Sequence, residues 1–208
     1  EMCIRDRIDL LCGGSQKAVS APPGLTFVVV SDDAKEKMKN RKTPIASFYA
    51  NLMAFDGYYE KKWFPYTMPI SDIYGLRAAF NLIAGDKTLY ERHARIGSAT
   101  RAAVKEAGLK LHLQSGYSNT VTVFDIPECT DAKSILDEMR TKYNIMLAGS
   151  FDELSGKVIR IGHMGENARL EHMVPALEAL SATLTDLGVT LQGNLADLFL
   201  KHYREFQD

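Results

Sequence analysis

The stretch GGSQKAVSAPPGL, residues 13 to 25, sets one lysine, Lys17, between a Gly-Gly-Ser entry and a Pro-Pro-Gly exit, just ahead of the apolar run LTFVVV. Gly13, Gly14 and Ser15 let the backbone approach another group closely, and Pro22, Pro23 and Gly24 stiffen the exit. An amine held at the mouth of a buried strand is partly desolvated, which favours its neutral, nucleophilic form. Schiff-base chemistry with an aldehyde is the use this suggests. The plainer alternative is a solvated surface cation, the usual state of a lysine. A phosphate loop would also set glycine beside lysine, but GxxxxGK[ST] is absent: Gln16 precedes Lys17 and Ala18 follows it, leaving no hydroxyl for Mg²⁺.

Other reactive side chains form no comparable constellation. Cys3, Cys12 and Cys129 have neither the even count nor the spacing of a disulfide framework or a zinc site. A reducing, cytoplasmic setting is expected. His93, His112, His163, His172 and His202 lack HExxH-type spacing, so no protein-bound metal is expected.

The elements that must position Lys17 follow an alternating order. Leu25 to Ser31 is a continuous β-branched run, as expected of a strand covered on both faces. Asp32 and Asp33 suit the cap of a short helix with the body AKEKMKNR. From Lys42 to Pro69 the chain is irregular and aromatic, with Tyr49, Tyr58, Tyr59, Trp63, Phe64 and Tyr66. These rings suit either anchors over the core or a surface meeting a second subunit. Ser71 is expected to cap a helix closed by Gly85, and a long helix of about residues 86–107 follows, ended by Gly108. Beyond it LKLHL, TVTVFDI, IMLA and VIRIGHM suggest short, antiparallel strands, while DAKSILDEMRTKY and residues 168–187 suggest helices, the latter shortened or kinked by Pro175. The segment NLADLFLKHYREFQD is a further amphipathic helix.

With 208 residues, 46% of them hydrophobic and 25% charged, the chain can bury a core of one large domain or two small ones. A net charge of −1 gives no general attraction to nucleic acid or an anionic membrane, and no apolar run is long enough to span a bilayer. No nucleic-acid or membrane partner is expected. The sequence opens on Glu1 and reaches the lysine stretch almost at once, the pattern expected of a chain whose N-terminal portion is missing. Met2 to Arg7, MCIRDR, is also what a transposon end used in sequencing libraries encodes in one frame, so these residues are expected to be adapter.

The segments GSQKAVSAPPGL, RKTPIASFY, PYTMPISDIYGLRAA and GKVIRIGHMG, in this order, resemble the class V aminotransferases of the alanine–glyoxylate and serine–pyruvate branch. The likeness runs from about Ile8 to Leu187, and the tail beyond has no counterpart in it. It implies an α/β fold-type I transferase dependent on pyridoxal 5′-phosphate, usually a homodimer. Residues 1–89 would be the rear of the large cofactor-binding domain and residues 90–208 the small C-terminal domain. The activity implied is amino-group transfer between a small amino acid, alanine or serine, and a 2-oxo acid, glyoxylate or pyruvate. By this resemblance Lys17 is the Schiff-base residue and, once released, the base that moves the α-proton. Arg160 receives the substrate carboxylate, a task suited to a guanidinium fork that makes two parallel hydrogen bonds; the alternative for Arg160 is pairing with a structural carboxylate.

Gln16 matches a position near the cofactor phosphate, and Thr67 one that reaches the phosphate from the neighbouring subunit. Where some members carry tyrosine three residues before that threonine, this chain has Phe64, so Tyr66 is the compensating candidate. His163 and Met164 adjoin Arg160 and line its pocket or pack in the strand. The family's glycine phosphate turn, ring-stacking residue and pyridine-holding aspartate have no counterparts in the sequence, so the chain alone is expected to have little or no transaminase activity. A lyase or cysteine desulfurase of the same superfamily is the alternative enzyme; those carry histidine before the lysine and a reactive loop cysteine, where this chain has Gln16 and the loop residue Cys129. A non-catalytic module that keeps the fold without the chemistry is the third reading.

Overall fold

The computed structural model describes residues 8–206; the adapter expectation at residues 2–7, and with it Cys3, lies outside them. The chain divides into two compact units between Ala84 and Gly85. This is slightly ahead of the boundary drawn at residue 89, so all of the long helix belongs to the second unit.

The first unit is built around two antiparallel strands, β1 (Leu10–Gly14) and β2 (Thr26–Val30), in register from Leu10 opposite Val30 to Gly14 opposite Thr26. Helix α1 (Asp32–Lys39) follows at once. Its cap is Ser31 rather than the aspartates: with φ −68° and ψ 159°, Ser31 Oγ accepts from the Ala34 amide at 3.1 Å and donates to Asp9 Oδ1 at 2.7 Å. Asp32 and Asp33 sit in the first turn, where their charge complements the helix dipole. Helix α2 (Ile70–Gly85) packs Gly75 against the Pro22 ring and Phe80 against Phe27, with ring centroids 5.7 Å apart.

The expectation that β2 is covered on both faces is corrected. Val28 and Val29 are 37% and 62% exposed, and the strand borders an open groove of about 680 Å³ that also touches Met38, Leu52 and Phe55. A single partner strand and the helices of this unit leave part of this five-residue, largely β-branched strand uncovered.

The second unit holds the extensive core. Helix α3 (Leu89–Glu106) buries Ile96, Ala99, Ala103 and Val104 on one stripe, the spacing of an amphipathic helix. Strands β3 (Val121–Asp125) and β4 (Val158–Gly162) pair antiparallel, as expected, with Arg160 opposite Val123 and Ile161 opposite Thr122. Alternation sends Phe124, Ile159 and Ile161 into the core. LKLHL and IMLA are not strands of their own: each makes one antiparallel bridge, Leu111 to Phe124 and Ala148 to Arg160, at an edge of the pair.

Helices α4 (Ala132–Tyr143), α5 (Leu170–Asp186) and α6 (Leu195–Glu205) complete the unit. Helix α5 runs on through Pro175. Asp131 caps α4 through Ser134, and Asn194 caps α6 through Ala196 and Asp197. Leu177, Leu180 and Leu184 of α5 meet Phe199 of α6 in the same core. Among the described residues no helix is long and apolar enough to cross a membrane.

Candidate active site

The candidate residues fall in both units, Gln16, Lys17, Tyr66 and Thr67 in the first and Arg160 in the second.

Lys17 sits on the turn between β1 and β2. The turn is organised by Ser15, whose residue exposure is 0%. Ser15 Oγ donates to the Pro22 carbonyl at 2.6 Å and accepts from the Leu25 amide at 3.3 Å. Its own amide donates to the Leu25 carbonyl and its carbonyl accepts from the Ala21 amide, both at 3.0 Å. Every polar group of one buried residue therefore ties the entry of the turn to its exit, and satisfied buried groups of this kind specify a single loop conformation. Within the turn, the Ser20 amide donates to the Lys17 carbonyl at 2.9 Å, with Ser20 at φ 58°.

The Lys17 side chain is exposed and has no ion-pair partner among the described residues. The partial burial expected of it is not supplied by its own turn: its neighbours Gln16 and Ala18 are exposed as well. Gln16 is also exposed, with its amide folded back over Gly14: a β-carbon there would lie 2.9 Å from Gln16 Oε1. A side chain at position 14 would need only the flexible Gln16 amide to swing aside.

Tyr66 is the hub of an aromatic cluster. Its ring stacks on Tyr49 at 5.1 Å and meets Phe48 and Phe55 edge-on at 5.4 Å, and its hydroxyl donates to the Phe48 carbonyl at 3.0 Å. In this arrangement the single O–H of Tyr66, the compensating phosphate candidate, is engaged by backbone. Thr67, next in sequence, is exposed.

Arg160 projects from β4 on the face opposite Ile159 and Ile161 and is half-buried. Its backbone exchanges hydrogen bonds with Ala148 at 2.7 and 3.3 Å, and its Nε donates to the Gly149 carbonyl at 2.6 Å. No carboxylate pairs with it among the described residues. Asp125, on the neighbouring strand, is held by Lys110 Nζ and His112 Nδ1, each at 2.7 Å. Those contacts, led by the Lys110 hydrogen bond, pull the Asp125 carboxyl below its ordinary range. With Nε tethered, both terminal nitrogens of Arg160 remain for a carboxylate.

His163 is packed rather than pocket-lining. It is fully buried, with Nε2 2.8 Å from Thr122 Oγ1 and Nδ1 3.2 Å from the Asn119 carbonyl, and burial pushes its imidazole down to about 4. An Nδ1–H tautomer satisfies both contacts. His93 is similar: Nδ1 donates to the Leu89 carbonyl at 2.6 Å, and Nε2 accepts from the Gly165 amide at 2.9 Å.

The class-V aminotransferase profile matches residues 5–148. The chain belongs to this family. It is 36% identical over 205 residues to the serine–glyoxylate aminotransferase of Arabidopsis thaliana, covering 94% of this chain and 50% of that protein. That share exceeds the residues up to Leu187, so part of the tail too has a counterpart. Among solved structures, the pyridoxamine–pyruvate aminotransferase of Mesorhizobium loti superposes with TM-score 0.88 at 31% identity, covering 96% of this chain and 52% of that one. The ureidoglycine–glyoxylate aminotransferase of Bacillus subtilis gives 0.87 at 30% identity, with 95% and 52% covered. The chain spans about half the length of these relatives. The mixed α/β fold is thus that of the pyridoxal-phosphate-dependent aminotransferases, over the part this chain represents.

Two site roles escaped sequence reasoning. Ser15 had a signal, as the small polar residue beside the lysine, but its bond to Pro22 depends on the turn closing. Gly149, whose carbonyl orients Arg160, had none.

Proposed function

We propose that the protein to which this chain belongs transfers amino groups between a small amino acid and a 2-oxo acid with pyridoxal phosphate, and that Lys17 and Arg160 serve this reaction. The observation that carries the proposal is an exposed amine, free of any carboxylate partner among the described residues, on a turn locked by a fully buried serine. The residues fit the group: the Lys17 amine is accessible to an aldehyde, the Gln16 amide and Thr67 hydroxyl are exposed and able to donate to a phosphate, and the Arg160 fork is unneutralised. When bound, pyridoxal phosphate supplies an aldehyde and a conjugated ring that takes up the electron pair left at the substrate α-carbon.

The chain's own residues do the rest. Lys17 Nζ binds the cofactor and, when free, holds and returns the α-proton. Arg160 binds the α-carboxylate through its two terminal nitrogens and so fixes the orientation of that end of the substrate. Serine–glyoxylate and pyridoxamine–pyruvate transfer in the relatives support a small 2-oxo acid such as glyoxylate or pyruvate as acceptor. Exposed aromatic residues such as Tyr49, Tyr59 and Trp63 support a homodimer. The exposed free thiols of Cys12 and Cys129 suit the cytoplasm.

Titration of the purified chain with pyridoxal phosphate tests the lysine assignment. A visible imine absorption that borohydride fixes to the Lys17 peptide is expected, and it should vanish in Lys17→Ala. A band of undiminished intensity in that variant rejects the assignment.

A further inference from the structure

The guanidinium of Arg160 is not left to find its own orientation. Its Nε reaches the carbonyl of Gly149, and the preceding residue, Ala148, is hydrogen-bonded to Arg160 in both directions. Acceptor and donor thus stand on one short paired segment. Beyond it, Phe151 places its ring centroid 5.7 Å from Arg160 Cζ, within the range of a cation–π contact.

Phe151 is 69% exposed, so the core has not recruited it. Its backbone is extended (φ −130°, ψ 177°), and the next residue, Asp152, takes φ 53°, a left-handed turn conformation that aspartate tolerates better than most residues. The turn is closed by the Leu154 amide on the Phe151 carbonyl at 3.3 Å and the Ser155 amide on the Asp152 carbonyl at 3.0 Å. The turn thus holds an exposed aromatic ring facing an unneutralised cation.

We propose that Phe151 and the Gly149 carbonyl are positioning residues for carboxylate capture by Arg160. The proposal rests on the reading of Arg160 given above. The carbonyl fixes rotation about the end of the side chain and takes Nε out of competition, so an incoming carboxylate meets the two terminal nitrogens in one orientation. The ring adds a cation–π attraction that holds the guanidinium in place for the charge-assisted pair made at its edge. The ligand class is a small monocarboxylate.

The test uses the 208-residue chain with ¹⁵N-arginine labelling. The Arg160 Nε–H resonance is identified by its loss in Arg160→Lys and followed during titration with propionate, with chloride at equal ionic strength as control. In the native chain this proton should exchange slowly and shift with propionate. Phe151→Ala and Phe151→Leu should each weaken propionate binding roughly two- to fivefold and move the resonance downfield as ring shielding is lost, while Phe151→Trp restores both. Since Phe151 is exposed, circular dichroism of the three variants should match the native chain. Propionate binding equal to native in the Ala and Leu variants, with binding lost in Arg160→Lys, overturns the role of Phe151 and leaves the Arg160 reading standing. A fast-exchanging Nε proton overturns the role of the Gly149 carbonyl. No propionate response in the native chain, or an equal one in Arg160→Lys, overturns the Arg160 reading itself.

Discussion

The Ser15 hydroxyl donates to the carbonyl of Pro22, seven residues along, at 2.6 Å. Lys17 lies between them, so this one bond closes the base of the turn that presents the candidate nucleophile.

Replacing Ser15 with alanine should therefore do more than remove a hydroxyl. It leaves the partly buried Pro22 carbonyl and Leu25 amide short of a partner, with an expected loss of about 1 kcal/mol in urea denaturation. The same variant should bind pyridoxal phosphate more weakly although it does not touch the Lys17 amine. Unchanged stability and unchanged imine absorbance together rule out the turn-locking role.

Tyr66→Phe separates the aromatic hub from the phosphate assignment. The hydroxyl bond to the exposed Phe48 carbonyl contributes at the low end of a neutral hydrogen bond, about 0.5 kcal/mol. Cofactor affinity, read from the imine absorbance, should stay within twofold of native, whereas Gln16→Ala should weaken it severalfold. A large loss in Tyr66→Phe would restore the tyrosine as a phosphate contact.

The second unit should be sensitive to acid through His163. Burial, with smaller contributions from Arg101 and His93, depresses this imidazole from 6.5 to about 4. The fold thus favours the neutral ring, and the stability it contributes is complete above pH 6.5. It is lost as pH falls from 6.5 towards 4, by roughly 3 kcal/mol at the acid end. Denaturation midpoints measured across that window should fall for the native chain and flatten in His163→Leu, which is less stable at neutral pH because Thr122 loses its partner.

Gly97 is a close-approach site on α3. A β-carbon there would lie 3.2 Å from Asn119 Cα and 3.3 Å from its carbonyl oxygen. Gly97→Ala should be nearly neutral, since a helix-propensity gain of about 1 kcal/mol offsets the crowding. Gly97→Leu should lose about 2 kcal/mol by overpacking. Equal stability for the two would mean that the Asn119 loop yields freely.

Local chemistry made much of this legible in the sequence. The turn signals around Lys17, the β-branched run of β2 and the apolar stripe of α3 depend on neighbours a few residues away. Where several residues could serve, the choice was hidden: Ser31, Asp32 and Asp33 can all cap a helix, and only the extended backbone of Ser31 decides between them. Contacts across the chain were hidden as well. The Gly149 carbonyl meets Arg160 because Ala148 bridges to β4, and the Tyr66 hydroxyl meets Phe48 because the aromatic loop folds on itself. The exposure of Val28 and Val29 was unreadable for a different reason, since an apolar side chain does not announce how much of its surroundings the chain itself supplies.

That two-stranded ribbon has a practical consequence. Leu10, Leu11, Val28 and Val29 face solvent, each strand keeps one ladder edge unpaired among the described residues, and TFVVV carries no charge. Uncharged β-branched segments with open edges template intermolecular strand addition. Concentrated preparations of the chain should precipitate from this ribbon outward, and Val29→Lys should keep them in solution, as sedimentation of native and variant at matched concentration will tell.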